Sequence, residues 1–600
     1  MREQLTALRN EMSRNGIDLY LIPTGDFHGS EYLHDYFKTR EYISGFTGSA
    51  GTLVVTKDEA RLWTDGRYFL QAAMELADTG IDLMKDKEPG VPSITEYIKE
   101  VLKKLSHPVI GFDGRVVSCE SGRSFATLAE EFNGSVLCNV DLAGAVWANR
   151  PVLKGSNIWQ LPLDSAGLPF EAKIKEVRNL MEKAGADYHL ITTLDDNAWL
   201  YNLRGSDVAR TPVFFSYTLI TPADVILYIF SGNCSSDIIP EGIKVKEYFN
   251  PGEDKLSIIE DLEKLPSGCK ILVDVKTSPY SIITAIPEDV DLIETDYIPT
   301  SRLKACKNPA EIESTKAAHI NDGIAMVNFI HWIKEAMSNN SDQTEISASD
   351  YLEKERASLP GFLDLSFDTI SGYMDHGAIV HYGATEETNA SLRPEGFLLV
   401  DSGGQYETGT TDITRTIALG PLTQKMKECY TVVLKGHAQL AMAKFKDGTT
   451  GMELDKLAKA PLDAYGISFN HGTGHGVGHV LCVHEGPQRI NTISQEPIIP
   501  GMITSNEPGY YLEGEFGIRI ENEILCVMDS DASESKGGEK IYSFQNLTCC
   551  PYERDAIIKE MLTPEEIAYI DDYHYWVYNS LENKISPQAS KWLKEVCQPL

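Results

Sequence analysis

The sequence predicts a mixed α/β and α+β chain, with two related N-terminal α/β domains followed by a larger α+β domain on a curved, mostly antiparallel sheet. Three observations carry this reading. Apolar strand-like runs alternate with helical periodicity through the first half of the chain. A similar order of segments returns about 160 residues after its first appearance. Beyond residue 360 the chain becomes rich in short β-prone runs separated by Gly-containing turns. At 600 residues it is also too long for one core.

The elements follow in order. The amino-terminal segment places Leu5, Leu8 and Met12 at helical spacing, ahead of the apolar run 19–22. Next come YISGFTGSAGTLVVT and ARLWTDGRYFLQAAMELA. In the second copy HLITTLDDNAWLYNLRGSD and PVFFSYTLITPADVILYIF repeat this order, with Gly48-Ser49 matched by Gly205-Ser206. Gly, Pro and Ser accumulate at 155–170, which reads as a linker. The expected domains are therefore 1–157, 158–302 and 303–600. The third opens with a long helix: Asn308 is its N-cap, Pro309 its first residue and Glu311 the capping-box partner. Ile312, Ile320, Ile324, Val327 and Ile330 supply its apolar stripe. Strands are expected around FDTISGY, GFLLVDSGGQY and FGIRIENEILCV, with helices near 425–444 and 453–465. The aromatic-rich helical end, from residue 555 onward, is expected to cap a core rather than dimerise.

Composition excludes several classes of function. Hydrophobic residues make up 42% and charged residues 24%, which is globular usage. The net charge of −34 removes the surplus of Lys and Arg that a nucleic-acid footprint needs. No apolar block resembles a secretory signal or a membrane span. Eleven cysteines, an odd number without a CxxC pair, read as free thiols in a reducing compartment. A cytoplasmic protein is expected.

Histidines and acids gather in the third domain: His381 in AIVHY, Asp401 in VDSGGQY, Asp412 in GTTDITRT, and His471, His475 and His479 in HGTGHGVGH. His484 and Glu485 follow in VHEGP, Glu507 in SNEPGYY, and Glu521 and Glu523 in GIRIENE. Singly, an Asp after a strand caps a turn and a core His satisfies a hydrogen bond. Together they say more, because Asp401, Asp412 and Glu521 lie in or beside β-prone apolar segments, where unpaired charge is prohibitively costly. Cations are expected to neutralise them. The carboxylates of Asp401, Asp412, Glu507 and Glu521 total −4 and a neutral His475 adds a nitrogen, so two divalent ions close the balance. Two such ions about 3.5 to 4 Å apart share a bridging water, acidify it and polarise a carbonyl, so hydrolysis is the implied chemistry. The Gly-rich HGTGHGVG lacks the Lys-Ser/Thr ending of a phosphate loop.

HGTGHGVGH followed by VHEGP, EPGYY and GIRIEN, and preceded by DSG and TTD, resembles the pita-bread metallopeptidases. GFTGSAGT, LWTDGRYFLQA, LDDNAWLYNLRGSDV and PVFFSY extend the resemblance to the long, three-domain cytosolic Xaa-Pro aminopeptidases across essentially the whole chain. It implies two creatinase-like α/β domains followed by a pita-bread catalytic domain. It also implies the ligand set Asp401, Asp412, His475, Glu507 and Glu521, with Asp412 and Glu521 bridging both ions. His381, His471 and His484 match active-site histidines that bind substrate and move protons. His479 departs from the family pattern, where a small or aromatic residue is commoner, and is assigned no role. Arg519 is expected to fix Glu521 or Asp412, Tyr511 to line the site, and Arg67 either to face substrate or to form a structural salt bridge.

The substrate expectation has a physical rationale. An Xaa-Pro bond has no N–H, so a peptidase reading that hydrogen cannot use it, whereas a pocket packing the pyrrolidine ring on imidazole faces can. The partners expected are peptides with proline second and, for a homodimer, a second copy; neither nucleic acid nor membrane is. Carboxylate-rich ligation with one His suits Mn(II), with Zn(II), Co(II) or Fe(II) as alternatives. The rival readings are an Xaa-Pro dipeptidase (prolidase), a catalytically inactive pita-bread peptide-binding module, and a metal-free creatinase-like enzyme.

Overall fold

A computed structural model describes residues 2–252, 254–535 and 538–600. The chain forms two compact units: residues 1–160 with 169–300, and residues 161–168 with 301–600.

The first unit holds two six-stranded sheets of the same topology. In one the order is Asp82–Lys85, Ala60–Thr64, Thr52–Thr56, Leu19–Pro23, Val109–Phe112, Ser135–Leu137. In the other it is Ile243–Glu247, Val225–Ile229, Ser216–Ile220, Tyr188–Ile191, Lys270–Val273, Asp291–Glu294. Both have antiparallel pairs at the second and third joints and parallel pairs elsewhere. The repeat seen in the sequence is thus a repeat of strand order and direction. Leu5, Leu8 and Met12 of the helix Glu3–Arg14 are buried on the first sheet, as their spacing predicts.

In the second unit the helix Pro309–Ser338 starts at Asn308, whose side chain accepts from Ala310 and Glu311 N–H while Glu311 returns a capping-box bond. The helix is buried around more of its circumference than a single stripe: Ile320, Ile324 and Val327 pack on one apolar cluster, and Met326, Phe329, Ile330 and Ile333 on another. It therefore runs between two cores, which a one-faced helical pattern does not describe.

Strand pairs in this unit are antiparallel. Phe397–Ser402 lies between Ile370–Tyr373 and Ile413–Ala418, and Asn522–Met528 pairs with Ile503–Asn506, which continues to Gly474–Gly476. Strands Phe397–Ser402 and Ile413–Ala418 are buried throughout, so every polar residue they carry faces a partner or a core. The C-terminal helices Pro564–Leu581 and Pro587–Val596 insert Ile570, Tyr573, Val577 and Leu593 into the cluster that contains Tyr430 and Val433. They complete a core.

Candidate metal and active site

The five expected ligands come together. Asp401 ends the buried strand Phe397–Ser402 opposite Thr414, and Asp412 immediately precedes Ile413–Ala418. His475 is central in Gly474–Gly476, Glu507 follows Ile503–Asn506, and Glu521 precedes Asn522–Met528. Three overlapping groups form, each with ligand atoms within 4.8 Å: Asp401, Asp412 and Glu521; His475, Glu507 and Glu521; and Asp412, His475 and His484. Asp412, His475 and Glu521 each belong to two of the groups, so the three groups share side chains.

The electrostatics match a cation site. Burial, and then the charge of Asp401, raises the Asp412 pKa well above the carboxylate range. Burial, and then Asp412, does the same to Glu521, and Glu507 is also raised, chiefly by burial. Asp401 Oδ1 is buried and meets no hydrogen-bond donor among the described residues. His475 Nδ1 donates to the Gly476 carbonyl at 2.9 Å, which leaves the Nε2 lone pair facing Asp412 at 3.4 Å and Glu507 at 3.5 Å. Burial, with His484 second, holds His475 down to about 4, so it is neutral. A lone pair facing two carboxylates has no proton to share with them. In the metal-free protein a carboxyl proton can bridge them, and a divalent cation in its place satisfies all three, so the residues fit two divalent ions.

Arg519 corrects an expectation. Its guanidinium bonds Asp401 Oδ2 at 2.6 Å, Tyr511 Oη at 2.7 Å and Thr414 Oγ1 at 3.1 Å, not Glu521 or Asp412. The reason is register: the Arg519 backbone pairs with Thr416 Oγ1, which lays the side chain across Thr414 and its cross-strand partner Asp401. Arg519 reaches Glu521 only through Thr414, whose hydroxyl donates to Glu521 at 2.7 Å.

Tyr511 lines the cluster, and its hydroxyl donates to His471 Nε2 at 2.8 Å because Nδ1 is committed to the Gly472 carbonyl at 2.7 Å. Burial, then Arg519, depresses the His471 pKa to about 3. Asp401, Arg519, Tyr511 and His471 thus form one hydrogen-bonded chain. His484 stands perpendicular to His475 with ring centroids 4.4 Å apart, and its neighbour Glu485 is buried between Lys304 Nζ, at 2.7 Å, and Lys307 Nζ. His381 is half-buried in the turn after Val380, whose carbonyl accepts from Arg519 at 3.4 Å. Arg67 lies in the first unit, where a bidentate pair with Asp65 at 2.8 Å holds its guanidinium near the Tyr68 ring.

Several residues escaped the sequence reading. Ser505 Oγ accepts from His475 N–H at 3.0 Å and donates to Glu507 at 3.2 Å. Thr414 and Ser505 each lie two positions from a ligand, on the same face of a strand, and that spacing was the available signal. Glu345 carried none: its buried carboxylate, far away in sequence, accepts from Tyr373 N–H, Tyr382 Oη and Ala390 N–H and pairs with His376, all at 2.8 to 2.9 Å. It therefore holds both ends of the segment bearing His381. Glu523, in the same motif as Glu521, faces His319 at 3.2 Å.

Comparison with known proteins agrees with this geometry. The description Metallopeptidase family M24 matches residues 313–527, and the C-terminal region of that peptidase family matches 540–600. Two creatinase/prolidase N-terminal domains match 4–152 and 149–311. Aminopeptidase P1 of Arabidopsis thaliana is 36% identical over all of this chain and 99% of its own length, and Xaa-Pro aminopeptidase 1 of Dictyostelium discoideum is 37% identical over 100% and 96%. The chain belongs to metallopeptidase family M24. Among solved structures, the X-prolyl aminopeptidase of Caenorhabditis elegans, described as cytosolic with a di-nuclear active site, superposes with a TM-score of 0.91 at 30% identity, covering 100% of this chain and 99% of that one. An Xaa-Pro dipeptidase from Bacillus anthracis covers 64% of this M24 chain at 25% identity and a TM-score of 0.50. The expected architecture, creatinase-type N-terminal domains before a pita-bread catalytic domain, is the one this M24 protein has.

Proposed function

We propose that this chain is a metal-dependent aminopeptidase that releases the first residue of peptides with proline second. The observation that carries the reading is the convergence of four carboxylates and a neutral His475, beside His381, His471 and His484, in a chain whose full-length relatives are Xaa-Pro aminopeptidases. Asp401, Asp412, His475, Glu507 and Glu521 hold two divalent ions, Mn(II) by donor character, which supply an acidified water and a polarised carbonyl when bound. The full-length match favours aminopeptidase over dipeptidase, since the dipeptidase likeness covers only 64% of the chain.

The chain's own side chains do the rest. Arg519 and Tyr511 fix Asp401 and His471. The neutral imidazole face of His471 suits an apolar pyrrolidine ring, with His381 its expected companion. His484, perpendicular to His475, is placed to carry a proton to the leaving nitrogen. The acidic cluster attracts the ammonium of the free N-terminus. A cytoplasmic homodimer acting on peptides completes the reading; the cytosolic description of the Caenorhabditis elegans enzyme supports the location.

The test compares Xaa-Pro, Xaa-Pro-Yaa-Zaa, its N-acetylated form and its Xaa-Ala counterpart with the metal-loaded protein by mass spectrometry. Release of the first residue from the free Pro peptide alone is expected. Cleavage confined to the dipeptide means a prolidase, and cleavage of Xaa-Ala removes the proline requirement.

A further inference from the structure

His475 and His484 meet ring to ring, although a turn of buried chain separates them in sequence. Within that turn Val480 has φ +53° and is fully buried. A β-branched residue almost never occupies the left-handed region, and such a conformation persists only where surrounding contacts over-determine it. The contacts are present. On one side, Gln405 Nε2 donates to the Leu481 carbonyl at 2.7 Å, and Gly478 N–H closes the turn on the Cys482 carbonyl at 3.0 Å. On the other, the buried ring of His479 spans two separate segments: Nε2 meets Ser165 Oγ at 3.1 Å and Nδ1 meets Thr315 Oγ1 at 3.0 Å. Ser165 is itself fixed, beside Ser314 Oγ at 2.9 Å and donating to the Glu407 carbonyl at 3.1 Å. A residue that merely filled space here would be apolar; one with both ring nitrogens engaged by hydroxyls from different segments sets a position.

We propose that His479 is a positioning residue, whose two-sided clamp on Ser165 and Thr315 holds the Gly478–Cys482 turn in its strained form and thereby keeps His484 against His475. The inference rests on the proposed peptidase reading, in which His484 moves a proton. Without the clamp, Val480 relaxes to negative φ and His484 shifts, and a displacement of about 1 Å at a reacting group costs up to 10²-fold in rate.

The test measures kcat and KM on an Xaa-Pro-Yaa peptide, metal content and thermal unfolding, with the unaltered chain in parallel. His479→Ala is expected to lower kcat about tenfold or more while KM and metal stoichiometry stay within twofold. Adding Val480→Gly, which removes the strain the clamp opposes, is expected to restore most of the lost kcat even though it adds no contact. A role in stability alone would lower the melting temperature without that rescue. A kcat within twofold of the unaltered chain, loss of metal in step with activity, or no recovery on adding Val480→Gly overturns the proposal. If His479→Ala does not fold, Thr315→Val removes one clamp bond at constant shape and must show the same signature at smaller size; unchanged kcat then overturns it. If the unaltered chain cleaves no Xaa-Pro peptide, the functional reading fails instead, and a crystal structure of the variant decides the clamp: a displaced turn supports it and an unmoved turn overturns it.

Discussion

Two clusters, one in each unit, bury polar side chains on opposite terms. In the first, Lys173 is buried with its ammonium on the Trp199 carbonyl at 2.8 Å and Asn202 Oδ1 at 2.6 Å, and His28 is buried between the Thr192 carbonyl and Tyr248 Oη, both at 2.7 Å. Each charge or dipole finds its complement in the protein. In the second, Asp401, Asp412, Glu507 and Glu521 crowd together with the guanidinium of Arg519 committed to one of them. Burial by itself does not mark a functional site; burial of like charges without enough protein counter-charge does.

The sharpest way to break this contrast is to neutralise one carboxylate. Asp412→Asn or Glu521→Gln removes a charge shared between two ligand groups, and kcat/KM is expected to fall roughly 10³-fold or more as one or both ions are lost. In the first unit Lys173→Met removes a buried ammonium that donates to the Trp199 carbonyl and Asn202 Oδ1; it is expected to cost about 1 to 3 kcal/mol of stability and leave metal content unchanged. Elemental analysis with peptide kinetics checks both. Two ions per chain with near-normal turnover in either carboxylate variant defeats the dinuclear assignment.

Within the site the next contrast is between the two facing histidines. His484→Ala is expected to keep its metal and lose roughly 10² to 10⁴ in kcat, whereas His475→Ala loses metal. Both rings offer a nitrogen within 4.8 Å of an Asp412 oxygen, so the pair of variants is needed to separate ligand from proton carrier. Equal metal loss in both would make His484 a ligand.

What could be read from the sequence follows the same division. Ligands announce themselves because Asp401, Asp412 and Glu521 are acids in segments otherwise fit only for a core, and the Asn308 cap and the doubled sheet are visible because turn chemistry and period are local properties. The residues that hold the ligands are less legible. Arg519 lies two positions from Glu521, yet it serves Asp401, because strand register rather than sequence distance decides where a long side chain ends. Glu345 organises the His381 segment from a helix start with no motif around it. Such partners are fixed by tertiary packing, and nothing in a short window of sequence encodes them.

A smaller effect tests the Arg519 assignment. Arg519→Met leaves Asp401 and Tyr511 without their donor and is expected to weaken metal binding 10- to 100-fold, as for other groups that orient ligands without touching the ion. Arg519→Lys is expected to recover little, because one ammonium cannot span Asp401, Tyr511 and Thr414. Metal titration followed by calorimetry checks both, and unchanged affinity in the Met variant would reduce Arg519 to a structural pair.

The smallest expected effect is in the pH dependence of stability. Asp412, Glu521 and Glu507 have pKa values raised by burial and then by neighbouring carboxylates, Asp401 among them, in the metal-free protein, so the folded state binds more protons than the unfolded chain between the ordinary carboxylate pKa and the raised values. Their contribution to metal-free stability is therefore full at low pH and is lost as pH rises through the raised values. Metal binding has the opposite slope, since the ligands must give up those protons before they can hold a cation. Buried neutral histidines, His189 held down to about 4 and His437 and His574 to about 3, act in the other direction by destabilising the fold on acidification below the ordinary imidazole range. They belong to both forms, so they cancel when the stabilisation conferred by metal is taken as a difference. The gap in melting temperature between Mn(II)-loaded and chelator-treated protein is expected to widen as pH rises from about 6 to 8. Each proton released contributes about 1.4 kcal/mol per pH unit, roughly 2 °C for a unit of this size. The same gap in Asp412→Asn should be smaller and flatter, while Lys173→Met, which lowers both melting temperatures, should leave its slope unchanged. A gap that does not vary with pH would mean that Asp412, Glu507 and Glu521 are already ionised before metal arrives, and the contrast would then rest on geometry without the charge argument.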